Sequence, residues 1–87
     1  MRFPKEGSYV VVEWEDAHGQ DMGWTPLDEI SHRAESVISV GILARRGVEG
    51  ITLVLSSSVP KSADEVPVVG AYIFIPVPFI QSIRALT

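Results

Sequence analysis

Three kinds of residue in this chain could do chemistry: a small group of acids around a histidine, a run of serines, and two tryptophans. Asp16, His18 and Asp21 stand close together in the sequence, a grouping that could bind a metal ion or shuttle protons. A calcium loop opening at Asp16 would need glycine at its sixth position and a bidentate glutamate at its twelfth. Asp21 and Leu27 occupy those positions, so the calcium loop fails and a hydrated polar segment is expected. His32, beside Arg33, reads as a solvated loop residue. Ser56, Ser57 and Ser58 lack the G-x-S-x-G elbow that presents a nucleophile. Gly41, Gly47 and Gly50 fall in a strand and a hairpin turn, not in a phosphate-cradling loop. No base and nucleophile can be paired, so the chain is expected not to be an enzyme and no catalytic residue, metal ligand or cofactor is assigned.

Composition points the same way. The 87 residues suffice for one small domain, residues 1–87, with a thin margin of stability. There are no cysteines and only two histidines, which leaves no disulfide framework, no thiolate site and little for zinc. The formal charge of −4 opposes a bare phosphate-binding surface. No apolar run approaches the roughly 20 residues of a membrane helix, and MRFPKEG lacks the apolar stretch of a signal peptide. A soluble, cytoplasmic protein is expected.

The elements that must position these residues are strands. Hydrophobic residues make up 46% of the chain, in short blocks punctuated by Gly, Pro and Ser. In Ser8–Glu15, alternation puts Val10, Val12 and Trp14 on one face, so Trp14 is expected in the core. Ser36–Arg45 reads as a second strand, with Ile38, Val40, Ile42 and Ala44 as its continuous apolar face. Val37, Ser39, Gly41 and Leu43 form its mixed face. A turn at Arg46–Gly50, where two glycines can supply positive φ, leads into a third strand with Ile51, Leu53 and Leu55 on one face. Residues 56–69 read as a loop. The fourth strand, Val69–Ile75, is apolar on both faces, with Tyr72 and Phe74 opposite Ile73 and Ile75. Pro76 and Pro78 end it. The segment from Phe79 to Leu86 fits either a two-turn helix or a 3₁₀ turn leading into a closing strand. In the long connection, residues 16–35, Thr25-Pro26-Leu27-Asp28 has the chemistry of a helix start, with Leu27 and Ile30 turned inward.

This order predicts an all-β fold: a small five-stranded Src-homology-3-like barrel with one short helix in the long first loop. An open antiparallel sheet with a terminal helix packed across it is the alternative. Three expectations about partners follow. Outward apolar residues (Val11, Leu43 and Val54, with Tyr72 and Phe74) exceed what one small barrel covers. A homo-oligomer is therefore expected, with Val54, Tyr72 and Phe74 at its interface. Residues 13–35 carry seven carboxylates against Arg33 alone. Glu15, Asp16, Asp21, Trp24, Asp28 and Glu29 are accordingly candidates for binding a basic host protein. The alternative is a single-stranded nucleic-acid-binding barrel using Trp24, Tyr72, Arg45 and Arg46, which the net negative charge opposes.

The chain also carries a succession of short motifs. These are Val12-Glu13-Trp14-Glu15-Asp16-Ala17, Gly23-Trp24 with Leu27-Asp28-Glu29, V-I-S-V-G from Val37 to Gly41, and I-P-x-x-x-I-x-x-I-x-x-L from Ile75 to Leu86. Together they cover most of the chain, and it resembles small uncharacterised proteins encoded by tailed bacteriophages. It departs from their pattern at Val77-Pro78, where a basic residue and a glycine are more usual. The resemblance implies a phage gene product made in the host bacterial cytoplasm and carries no activity with it.

Overall fold

The computed structural model describes residues 2–16, 24, 26–29 and 34–86. Five antiparallel strands form one sheet: β1 (Tyr9–Asp16), β2 (Glu35–Arg46), β3 (Gly50–Ser57), β4 (Val69–Pro76) and β5 (Ile80–Ala85). Their spatial order is β4-β3-β2-β1-β5. The fold is all-β, and the sheet is not closed, since β4 and β5 are its two outer strands. Short 3₁₀ turns lie at Leu27–Glu29 and Val77–Phe79.

The core is the inner face of this sheet. Val10, Val12, Trp14, Leu43, Ile51, Leu53, Ile75 and Ile80 are buried together, with Phe3, Val37, Ile73 and Ile83 packed against them. Alternation on β1 runs as expected, with Val10, Val12 and Trp14 inward. β2 is turned over relative to the sequence reading. Val37, Ser39, Gly41 and Leu43 face the core, and Ile38, Val40 and Ile42 face out. Leu43, expected outward, is fully buried.

The physical cause is room. The register sets Val37 opposite Trp14, Ser39 opposite Val12 and Gly41 opposite Val10, so small residues of β2 meet large ones of β1. Ser39 also accepts a 3.0 Å hydrogen bond from the Trp14 indole N–H through its Oγ, giving the buried ring its polar partner. At Gly41 a Cβ would meet the Val54 carbonyl oxygen at 2.7 Å. The missing side chain lets β2 and β3 approach closely there.

The hairpin between β2 and β3 forms as expected, with a register shift between Leu43 and Arg45. Its glycines act differently from the reading above. Among described residues the positive-φ positions are Gly7 and Ala71, so Gly47 and Gly50 do not supply left-handed backbone. Gly50 is there for space: a Cβ would run into the Ile75 carbonyl oxygen and lie 2.7 Å from the Phe74 ring.

Past its last β2 partner, Val54, the β3–β4 pair continues as a ribbon in which Ser56 and Ser57 face Gly70 and Val69. Ala71, at φ 55°, interrupts its ladder. The loop beyond it is closed by Ser58, whose N–H donates to the Val68 carbonyl at 2.8 Å and whose Oγ accepts from the Val68 N–H at 2.9 Å.

The final segment resolves as the 3₁₀ turn and a strand. β5 pairs with β1 from Val10↔Ala85 to Trp14↔Ile80. In the first connection, Leu27–Glu29 makes only a single 3₁₀ turn, held by the Glu29 N–H to the Pro26 carbonyl at 2.9 Å. So short a turn has no buried face, and Leu27, expected inward, is exposed. Thr25, Ile30, His18, Asp21 and His32 lie outside the described residues.

Candidate interaction surface

The outer face of the sheet is built from the residues that strand alternation leaves over once the core is filled. Direct cross-strand partners share a face, so the ladder Tyr72↔Val54↔Ile42↔Tyr9 is one row across four strands. One step along lies Phe74↔Thr52↔Arg45. On the other side come Val40↔Val11↔Arg84 and then Ile38↔Glu13↔Ser82. The centre of this face carries no charge. Its exposed apolar members are Tyr9 (63% exposed), Ile38 (69%), Val40 (53%), Tyr72 (69%) and Phe74 (51%).

Of the three residues expected at an interface, Tyr72 and Phe74 are exposed on this face. Val54 belongs to it by register but is buried at 7% exposure. It lies between Ile42 and Tyr72 where Gly41 draws β2 against β3. Sequence reasoning missed Tyr9, Ile38 and Val40. The signal for the β2 residues was Gly41 and Ser39 on the opposite face, room reserved for Trp14 and for the close approach of β3. A cleft of about 470 Å³ adjoins the row, lined among others by Tyr9, Val40, Leu55, Val59 and Pro67.

The acidic candidates Glu15, Asp16, Asp28 and Glu29 are all exposed, as is Trp24. Glu15 accepts a hydrogen bond from the Gln81 side-chain amide at 2.6 Å. Glu15 and Asp16 end β1, while Asp28 and Glu29 lie on the 3₁₀ turn.

The arginine pair separates. Arg46 donates through Nη1 to the Phe3 and Pro4 carbonyls at 3.0 and 2.9 Å, and its backbone N–H donates to Glu6 Oε2 at 3.0 Å. It clamps the N-terminal segment to the hairpin, which takes it away from a phosphate-binding role. Arg45 stays on the outer face.

Among the described residues no polar or charged side chain is buried, and no group of three His, Cys, Asp or Glu could hold a metal ion. Ser57 Oγ donates to the Ser58 carbonyl at 3.0 Å. No helix among the described residues is long and apolar enough to cross a membrane.

Fold and surface together define a class: a five-stranded antiparallel β protein whose outer face is apolar at its centre and charged towards its ends. Comparison of the chain with protein-family models, curated proteins and solved structures finds no match.

Proposed function

We propose that this chain is a non-enzymatic, phage-encoded interaction module that self-associates through the outer face of its sheet. The observation that carries the reading is the exposure of Tyr72 and Phe74 together with Tyr9, Ile38 and Val40. At about 200 Å² for a whole aromatic residue, the three rings alone offer about 350 Å² of surface. Ile38 and Val40 take the patch to the upper end of what monomers normally leave bare, about 300 to 600 Å². The Src-homology-3-like barrel remains the finer reading of the fold. Support for it comes from the strand order and from the 3₁₀ turn between β4 and β5. The phage context rests on the motif resemblance.

Sedimentation velocity of the whole chain at micromolar concentration tests self-association: a species of twice 9.5 kDa is expected, and a clean monomer overturns the reading. The acidic loop gives the module a second contact. Glu15, Asp16, Asp28 and Glu29, exposed as is Trp24, favour a basic host protein in the bacterial cytoplasm, which the loop would engage or inhibit. Capture of such a protein from lysate should weaken as salt rises, because exposed charges further apart than about 10 Å are screened at 0.1 M. Capture indifferent to salt overturns this part.

A further inference from the structure

We infer that two copies of this chain pack outer face to outer face about a two-fold axis lying across the strands, so that Arg45 of each copy comes within side-chain reach of Glu13 of the other, on the neighbouring strand. The inference rests on the self-association proposed above and deepens it by fixing the occupant of the face and its orientation.

The argument begins with area. A stable interface buries about 800 Å² on each side, and the five exposed apolar residues of the outer face supply most of that without any rearrangement. Charge then selects the occupant. The outer face is neutral at its centre, carries Arg84 at its β5 edge opposite Val11, and is polarised along β1 and β2. Arg45 lies opposite Thr52 at the hairpin end, while Glu13 and Glu15, opposite Ile38 and Ser36, lie at the other. A surface with opposite charges at its two ends complements itself once one copy is reversed.

Two face-to-face two-folds are open to a sheet. An axis along the strands keeps the two hairpin ends together, gathering both Arg45 side chains at one end of the contact and the Glu13 and Glu15 side chains at the other. Like charges opposed across a desolvated contact cost several kcal/mol. An axis across the strands reverses strand direction and brings each Arg45 to the acidic end of the other copy, one strand spacing (about 4.8 Å) to the side of Glu13 of the partner subunit and within reach of its carboxylate. The second arrangement also keeps every β2 over a β2, so Val40 and Ile42, in the middle of the apolar stripe that β1 leaves outside, meet the same two residues of the other copy. The face turned out by Gly41 and Ser39 is in this way the contact itself.

The experiment is sedimentation velocity on the full chain and its charge-reversal variants, from about 1 to about 100 µM, a range spanning ordinary weak to moderate affinities. All substituted residues are exposed, and circular dichroism confirms that each variant folds. Glu13→Arg and Arg45→Glu should each weaken the dimer by about tenfold, and the combined Glu13→Arg/Arg45→Glu variant should recover to within about threefold of the original. Tyr72→Ser should weaken it as well. If the wild-type chain dimerises and Tyr72→Ser breaks the dimer but the double reversal fails to rescue, the outer face is the interface and the orientation is wrong. If it dimerises and neither charge nor Tyr72 variants matter, the inferred packing is wrong while self-association stands. A monomer throughout overturns both.

Discussion

Single residues in this protein are explained by space more than by chemistry. Gly50 sits under the Phe74 ring with no room for a Cβ beside the Ile75 carbonyl. Gly50→Ala should therefore cost about 3 kcal/mol, the upper end of ordinary overpacking; a denaturant midpoint unchanged from wild type would contradict this. Ala71 presents the opposite case. Its φ of 55° is strained for a residue with a Cβ by about 1 to 2 kcal/mol. Glycine removes that strain but returns about 0.4 to 1 kcal/mol through the freer unfolded chain. The strain term is larger, so Ala71→Gly should stabilise the protein by about 0.5 to 1 kcal/mol in chemical denaturation, and a loss of stability would show that the left-handed backbone is not costly here. Ser39 supplies the partner of the Trp14 indole. Ser39→Ala leaves that donor unpaired inside the sheet and should cost about 1 to 3 kcal/mol, with Ser39→Thr, which keeps the hydroxyl, losing less.

At the scale of elements, strands and their order follow from local patterns, while facing depends on neighbours. The N-terminal segment is an instance of the latter. Residues 2–8 form no strand, yet they are tied to the hairpin by Arg46 and by the Gly7 N–H to the Leu43 carbonyl at 2.8 Å. Arg46→Gln should speed amide exchange at Gly7 while leaving Val12, inside the sheet, protected; equal exchange at Gly7 in both proteins would mean the clamp holds nothing. The blocks around β1, the β2–β3 hairpin, the loop after it and the greasy β4 were all legible in the sequence, because each is bounded by Gly, Pro or Ser and alternates with period two. The orientation of β2 was not. Its apolar stripe, Ile38, Val40 and Ile42, looks like a core face to any count made along one strand. Only the register, with Gly41 against Val10 and Ser39 against Val12, shows that the bulk of β1 had already filled the space. The closing segment was ambiguous for a different reason: eight residues fit two periods, and pairing with the free edge of β1 decided for a strand. Tyr72 and Phe74 were legible as surplus, since β4 is apolar on both sides, but Tyr9 was hidden by its position at the very start of a strand.

The whole molecule is long for its size. Its radius of gyration is 16.4 Å and its extents are 57 × 28 × 22 Å, whereas a compact domain of this length has a radius of about 12 Å. An extended sheet buries less of its own surface than a rounder body does. Part of the reason lies in the ribbon of Ser56, Ser57, Val69 and Gly70, which pairs only with itself beyond β2. An isolated two-stranded ribbon is marginal in water, and the apolar outer face adds to what the protomer leaves uncovered. Stability in such a molecule should therefore depend on association. If folding and dimerisation are linked, a tenfold rise in protein concentration adds about 1.4 kcal/mol per dimer, or about 0.7 kcal/mol per protomer. For a domain of this size that raises the thermal midpoint by about 3 to 6 °C. Differential scanning calorimetry over a hundredfold range of concentration should show twice that rise, and the rise should vanish in Tyr72→Ser, which removes a ring from the contact without touching the core. A midpoint that stays fixed across the range would mean that the protomer stands alone despite its bare outer face, and the sheet's surplus of apolar side chains would then need a different cover.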